Sequence, residues 1–240
     1  MAVSPPTASL TRVRRKPDRG STDRAVIDAI LDGGLVCHLG YIEQDRPVVV
    51  PTLFARDGDD LVVHGSSGSR AMRAGAGGLP VCATVTVLDG LVLARSANNH
   101  SANYRSVVVH GDAVEITATD DKLAALRVLT EHVAPGRWAV VRQPDDKELR
   151  ATTVLRLPLT HAVAKIRQGG VVDEARDLDL DVWAGIVPVR TRYGVPEVDA
   201  GVAAHLEAPS WHLDVDATGV PLAPMPAGRR DPIDGPVTIR

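Results

Sequence analysis

The stretch LVCHLGYIEQDRPVVVPTLFARDGDDLVVHG, residues 35–65, decides the fold. It breaks into three runs, 35–43, 46–55 and 61–65, each rich in Val, Ile and Leu and bounded by polar turn residues. Runs of this length and composition read as strands, and connections this short read as two consecutive antiparallel hairpins. Pro51 lies inside the middle run. A proline brings no N–H to a ladder, so its position belongs at an edge, at a bulge or where backbone meets a ligand.

The third run empties into SSGSRAMR, residues 66–73. Serine hydroxyls, backbone N–H groups left accessible by Gly68, the start of a short helix at Ser69 and the forked guanidinium of Arg70 would together grip a phosphate. An N-capped surface helix with its arginines in water accounts for the same letters, and both readings stand. Neither a GxGxxG fingerprint after a strand nor a GK[ST] loop is present.

Further strands follow outward. LPVCATVTVLDGLVLARS (79–96) reads as two runs turning at Asp89-Gly90, and NYRSVVVHGDAVEI (103–116) as one long strand. ATTVLRLPL (151–159) and HAVAKIRQ (161–168) add two more. Residues 21–34 predict a helix capped by Ser21 or Thr22, with Ala25, Val26, Ala29 and Ile30 as its apolar stripe and Gly33 as its end. A second helix is predicted at 121–133, where Leu123, Leu126, Leu129 and Val133 share a face. Six to eight short antiparallel strands with few helices indicate a mainly β protein, a small barrel or sandwich.

Composition narrows the function. A net charge of -3 with scattered cations gives no nucleic-acid footprint, and 3 % aromatic residues leave few stacking platforms. No apolar run approaches the ~20 residues of a membrane span and no leader is visible, so a soluble, cytoplasmic protein is expected. Cys37 and Cys82 lie in apolar strands, far apart and too few for a structural zinc set, and no HExxH or GxSxG occurs. No metal site is expected. Residues 1–21, with Arg12, Arg14, Arg15 and Lys16, read as a basic arm, residues 22–170 as the barrel domain and 171–240 as an extension packed on the barrel or a partner subunit. Trp183 and Trp211 are expected to bury their rings there.

The loop SANNHSANYRS (96–106) concentrates more hydrogen-bonding side chains than a plain connection needs. His100 lies at its centre, and Tyr104, Arg105 and Ser106 close it. An Asn-rich turn with Arg105 paired to an acid is the alternative.

Taken in order, GLVCHLGYIEQDRPVVVPTLFARDGDDLVVHGSSGSRAMR, TVTVLDGLVLARS, HSANYRSVVVHGDA, ATTVLRLPL, AKIRQGG and VWAGIVPV resemble the pyridoxamine 5′-phosphate oxidase-related flavin-nucleotide-binding split-barrel proteins, near the 5-nitroimidazole resistance group. The resemblance implies a six-stranded antiparallel split β-barrel, a homodimer with FMN in clefts between subunits, and an oxidoreductase acting on a small organic substrate. It further implies Pro51, Thr52 and Leu53 along the isoalloxazine edge, His64, Gly65 and Ser66 on the next strand end, Ser69 and Arg70 on the phosphate, and Tyr104, Arg105 and Ser106 near the same cleft. His100 or His64 would serve as proton donor. Members of the wider superfamily similar in fold use heme or a deazaflavin instead, and others carry flavin without turnover, so these alternatives stay open.

Overall fold

Along residues 36–43 every second side chain is buried: Cys37, Leu39 and Tyr41 point inward while Val36, His38 and Ile42 stay exposed. That two-residue period governs the molecule. A computed structural model describes residues 10–208 except 79, 192, 194, 195 and 204. The proline-rich stretch from Pro209, with Trp211, lies outside the described residues.

The elements are β1 (Gly20–Ser21), α1 (Arg24–Asp32), β2 (Val36–Glu43), β3 (Arg46–Asp57), β4 (Asp60–Ser66), α2 (Arg70–Ala76), β5 (Pro80–Leu93), β6 (Ser101–Asp112), β7 (Val114–Glu115), α3 (Thr119–Val133), α4 (Asp146–Ala151), β8 (Thr152–Pro158), β9 (Ala162–Arg167) and β10 (Gly185–Pro188). The strands form one hydrogen-bonded path in the order β1-β9-β6-β5-β2-β3-β4-β8-β7, with β10 added on β5. Every pairing is antiparallel. The described residues thus carry ten strands where six were expected, because β1, β7 and β10 are additions of two to four residues around seven longer ones. The path is not closed by hydrogen bonds, although β6 and β8 lie in contact.

Both predicted hairpins form. The β2–β3 turn places Gln44 and Asp45 at φ 49° and 59°, the paired left-handed conformation that matches strand twist. Phe54, the protein's single phenylalanine, is fully buried with Leu39, Val63, Val85 and Val107 inside the curled sheet. A second cluster, built from Ala55, Val62, Leu126, Leu129 and Val154, packs α3 onto the outside of β3, β4 and β8. Leu126 and Leu129 of the predicted helix face are buried there.

Several local expectations are corrected. Asp89-Gly90 does not turn the chain. β5 runs on as a strand of 14 residues with a bulge at that point, since β6 pairs with it on both sides of the register shift. Gly90 is required because a Cβ there would lie 3.1 Å from the Val187 carbonyl oxygen of β10. The long strand expected over 103–116 breaks at Ala113, after its pairing with β9 has ended at Val109 and with β5 at Asp112, and the chain joins β8 through β7. The first helix is capped by Asp23, whose carboxylate accepts from Ala25 N–H at 2.9 Å, because Ser21 is occupied in β1. Its buried face is Ile27, Ile30 and Leu31, and Ala25 and Ala29 face solvent. α4 was not foreseen. Its capping box, Asp145 with Glu148, was legible in DDKE. Trp183 remains 64 % exposed, resting on Gly185.

The N-terminal arm is tied down over its last residues. Pro17–Arg19 form a 3-10 turn, and β1 pairs with Lys165 and Ala164 of β9. No helix among the described residues is long and apolar enough to cross a membrane.

Candidate functional site

A gap opens where β3 changes partner. From Arg46 to Leu53 it pairs with β2, and from Phe54 to Asp57 with β4. β4 leaves β3 after Val63 and continues on β8 through His64, Gly65 and Ser66. Pro51, Thr52 and Leu53 therefore form one lip, and His64, Gly65 and Ser66 the other. Pro51 sits where β3 has a neighbour on one side only, which answers its missing N–H. His64 carries a buried Nδ1 without a hydrogen-bond partner, and burial holds its imidazole below the ordinary value. Buried polar atoms are usually paired, so this nitrogen marks the gap as chemically unfinished. Gly65 admits Met72: a Cβ would stand 2.9 Å from Met72 Cγ.

The serine corner beyond β4 is more closed than its letters suggested. Ser67 N–H donates to the Ala151 carbonyl at 2.8 Å, Gly68 N–H to Ser66 Oγ at 3.2 Å, and Ser69 N–H to the Ser66 carbonyl at 2.8 Å. These backbone donors, expected to face a phosphate, are spent on the turn itself. α2 follows over seven residues, Arg70–Ala76, with Ser69 at its N-cap. The hydroxyl of Ser69 makes no capping bond, and Arg70 meets Glu43 at 3.2 Å with most of its side chain in solvent.

Beside the gap the outer face of β2 and β3 is apolar and uncovered. Val36 and Leu53 are register partners there, and Val49, opposite Gly40, is 62 % exposed.

Tyr104, Arg105 and Ser106 do not join this cluster within one chain. They lie on β6, separated from β3 by β5 and β2. Arg105 grips Asp89 with Nε and Nη2 at 2.8 to 3.2 Å, and Ser106 Oγ donates to the Lys165 carbonyl at 3.2 Å. His100, whose Nδ1 meets the Ser96 carbonyl at 2.9 Å, precedes β6 and shares no strand neighbour with His64. Of the two histidines expected as alternative proton donors, His64 borders the β3–β4 gap and His100 does not.

Two cavities were missed. One, about 650 Å³, is a largely apolar groove lined by Tyr41, Ile42, Val49 and Cys82, with His110 and His161 at its wall. Burial and the neighbouring His161 hold the His110 imidazole below its ordinary value. The other, about 500 Å³, joins the basic arm to the Asn98–Ser101 loop and to Lys165 and Arg167. Each residue was visible in the sequence, but only the β1–β9 register brings them together.

Comparison with known proteins agrees with this fold. Residues 23–166 match the family model described as pyridoxamine 5′-phosphate oxidase. The flavocytochrome Anf3 from Azotobacter vinelandii is 35 % identical, superposes with a TM-score of 0.79, and is covered over 94 % of its length by 85 % of this chain. The FAD and heme binding protein from Mycobacterium smegmatis is 39 % identical with a TM-score of 0.76, over 80 % of this chain and 94 % of its own. A protein from Bacteroides thetaiotaomicron assigned to 5-nitroimidazole antibiotic resistance shares the fold at 20 % identity and a TM-score of 0.51, over 61 % of this chain and 86 % of its own. No curated protein matches.

Proposed function

Because the chain belongs to the pyridoxamine 5′-phosphate oxidase family, we propose that it is a flavin-dependent oxidoreductase that also holds heme. One observation carries the reading: the relatives similar over 80 % and 85 % of this chain are an FAD and heme binding protein and a flavocytochrome. The chain offers a fitting place for each group. The β3–β4 gap, with its unpartnered His64 nitrogen, suits a flavin ring laid along Pro51, Thr52 and Leu53 and bounded by His64, Gly65 and Ser66. The apolar groove with two imidazoles suits heme, which His110 or His161 would hold.

The bound groups supply the electron chemistry. The chain's own residues bind and orient. Ser69 Oγ and Arg70 would take the flavin phosphate. The exposed Arg70–Glu43 pair holds Arg70 by no more than about 1 kcal/mol, so the guanidinium turns readily to a better anion. FMN, implied by the sequence resemblance, and FAD, named for the M. smegmatis protein, present the same inner phosphate to that corner. A neutral His64 would accept a proton at Nδ1 or donate one from its other nitrogen, exchanging with a small organic substrate in the gap. The uncovered face of Val36, Ile42, Val49 and Leu53 supports a homodimer that shelters the flavin from water. The free thiols of Cys37 and Cys82 suit a reduced, cytoplasmic setting.

The absorption spectrum of the purified protein tests the reading. Flavin bands with a Soret band are expected, the latter lost in His110→Ala or His161→Ala. A colourless protein that takes up neither flavin nor heme on titration overturns it, and a bound flavin that no donor reduces leaves a carrier.

A further inference from the structure

We propose that the cavity beneath the basic arm is a second ligand site, built for a diphosphate-bearing group and separate from the flavin corner. Its lining carries five fixed positive charges, Arg15, Lys16 and Arg19 from the arm and Lys165 and Arg167 from β9, and no carboxylate. Among the described residues none of the five makes an ion pair. Arg167 is the most telling. It is 8 % exposed, and its guanidinium donates to Asn103 Oδ1 and to the carbonyls of Gly169 and Gly170. These acceptors are all neutral and leave its charge uncompensated in a buried position, which is costly unless an anion arrives. Asp173 stands near the rim, but Arg95 engages it at 2.7 Å. Asp18, on the Pro17–Arg19 turn, is exposed and outside the lining.

The cavity is constructed rather than left by a loose tail. The arm closes because Gly20 lacks a Cβ, which would stand 2.8 Å from Val13 Cγ2, and because Gly20 pairs with Lys165. Lys16 is held at φ 57°, a conformation lysine rarely adopts. Strain of this kind gathers at ligand sites. Asn98 and Asn99 add neutral donors opposite the cations.

Five cations around about 500 Å³ exceed what one phosphate needs and suit a nucleotide-sized diphosphate. Neither Ser69 nor Arg70 lines this cavity, and Lys165 sits on β9, which pairs with β1 and β6 and not with β3 or β4, so this is not the Ser69–Arg70 corner. The diphosphate could belong to a flavin dinucleotide reaching across from the gap, an arm that rests on the proposed function, or to a free phosphorylated ligand.

Calorimetric titration of the full chain with inorganic pyrophosphate and with ADP, without flavin, tests the site. Binding weakened at least 10-fold in Lys165→Gln and Arg19→Gln, unchanged in Arg12→Gln and lowered by salt, is the expected result. These positions are not in the core, and an unchanged melting temperature confirms that the variants fold. If Lys165→Gln also lowers the FAD-to-FMN affinity ratio, the dinucleotide is the source; if ADP binds and that ratio is unmoved, the ligand is separate. Absence of pyrophosphate and ADP binding by the unaltered chain, or equal binding by every variant, overturns the proposal, whatever the flavin spectrum shows.

Discussion

Asp89 and Arg105 face each other across β5 and β6 in a two-pronged ion pair, at the residue where β5 bulges. The bulge aims Asp89 at Arg105, and the Asp89 carbonyl accepts from Val189 N–H at 3.1 Å just beyond β10. One irregular residue therefore fastens β6 by its side chain and the C-terminal extension by its backbone.

Asp89→Ala and Arg105→Ala should each lower stability by about 1.5–3 kcal/mol, the range for hydrogen bonds to charged groups. Urea unfolding of both single variants and the double variant checks this. A coupling energy near zero would mean that the pair does nothing for the fold.

Arg70→Ala should weaken flavin binding by roughly 1.5–3 kcal/mol and change stability by less than about 0.5 kcal/mol. Its partner gives the opposite sign: Glu43→Gln frees the guanidinium and should tighten binding modestly. Fluorescence titration with FMN reads both, and equal affinities across the three proteins would place the phosphate elsewhere.

Gly65→Ala inserts a methyl group 2.9 Å from Met72 Cγ in a buried corner. Overpacking of this kind costs about 1–3 kcal/mol, and since Gly65 borders the gap, flavin affinity should fall together with the melting temperature.

Burial holds His64 and His110 below the ordinary imidazole value of 6.5. Below that value the unfolded chain binds more protons than the native one, so stability rises with pH there and is lost as pH falls from about 6.5 towards the depressed native values. The urea midpoint should be lower at pH 5.5 than at pH 7.5, and His64→Gln should shrink the difference. A midpoint independent of pH over that range would show both rings as accessible as in the unfolded chain.

Strands were legible because burial follows a two-residue period that Cys37, Leu39 and Tyr41 display openly. The bulge was not, because Asp-Gly has the same turn chemistry whether it reverses a chain or kinks a strand, and only the pairing with β6 and β10 decides. The face of α1 was half read: Ile30 is buried and Val26 packs on the core, but alanines count as apolar letters yet bury little, while Ile27 and Leu31 outweigh them. The β3–β4 gap was half legible. Pro51 flagged a one-sided strand, but the use of the Ser67 N–H depends on Ala151, far along the chain. The cationic cavity draws on residues 15–19, 98–101 and 165–167, which no local pattern connects.

The exchange of partners along β3 also bears on how such a protein diversifies. The width of the opening is set by main-chain pairing on either side of Leu53 and Phe54, not by the side chains that border it. Apart from Gly65, residues at the mouth can therefore be rewritten with little disturbance of the scaffold, and a lineage built on it is free to change its prosthetic groups while keeping one architecture.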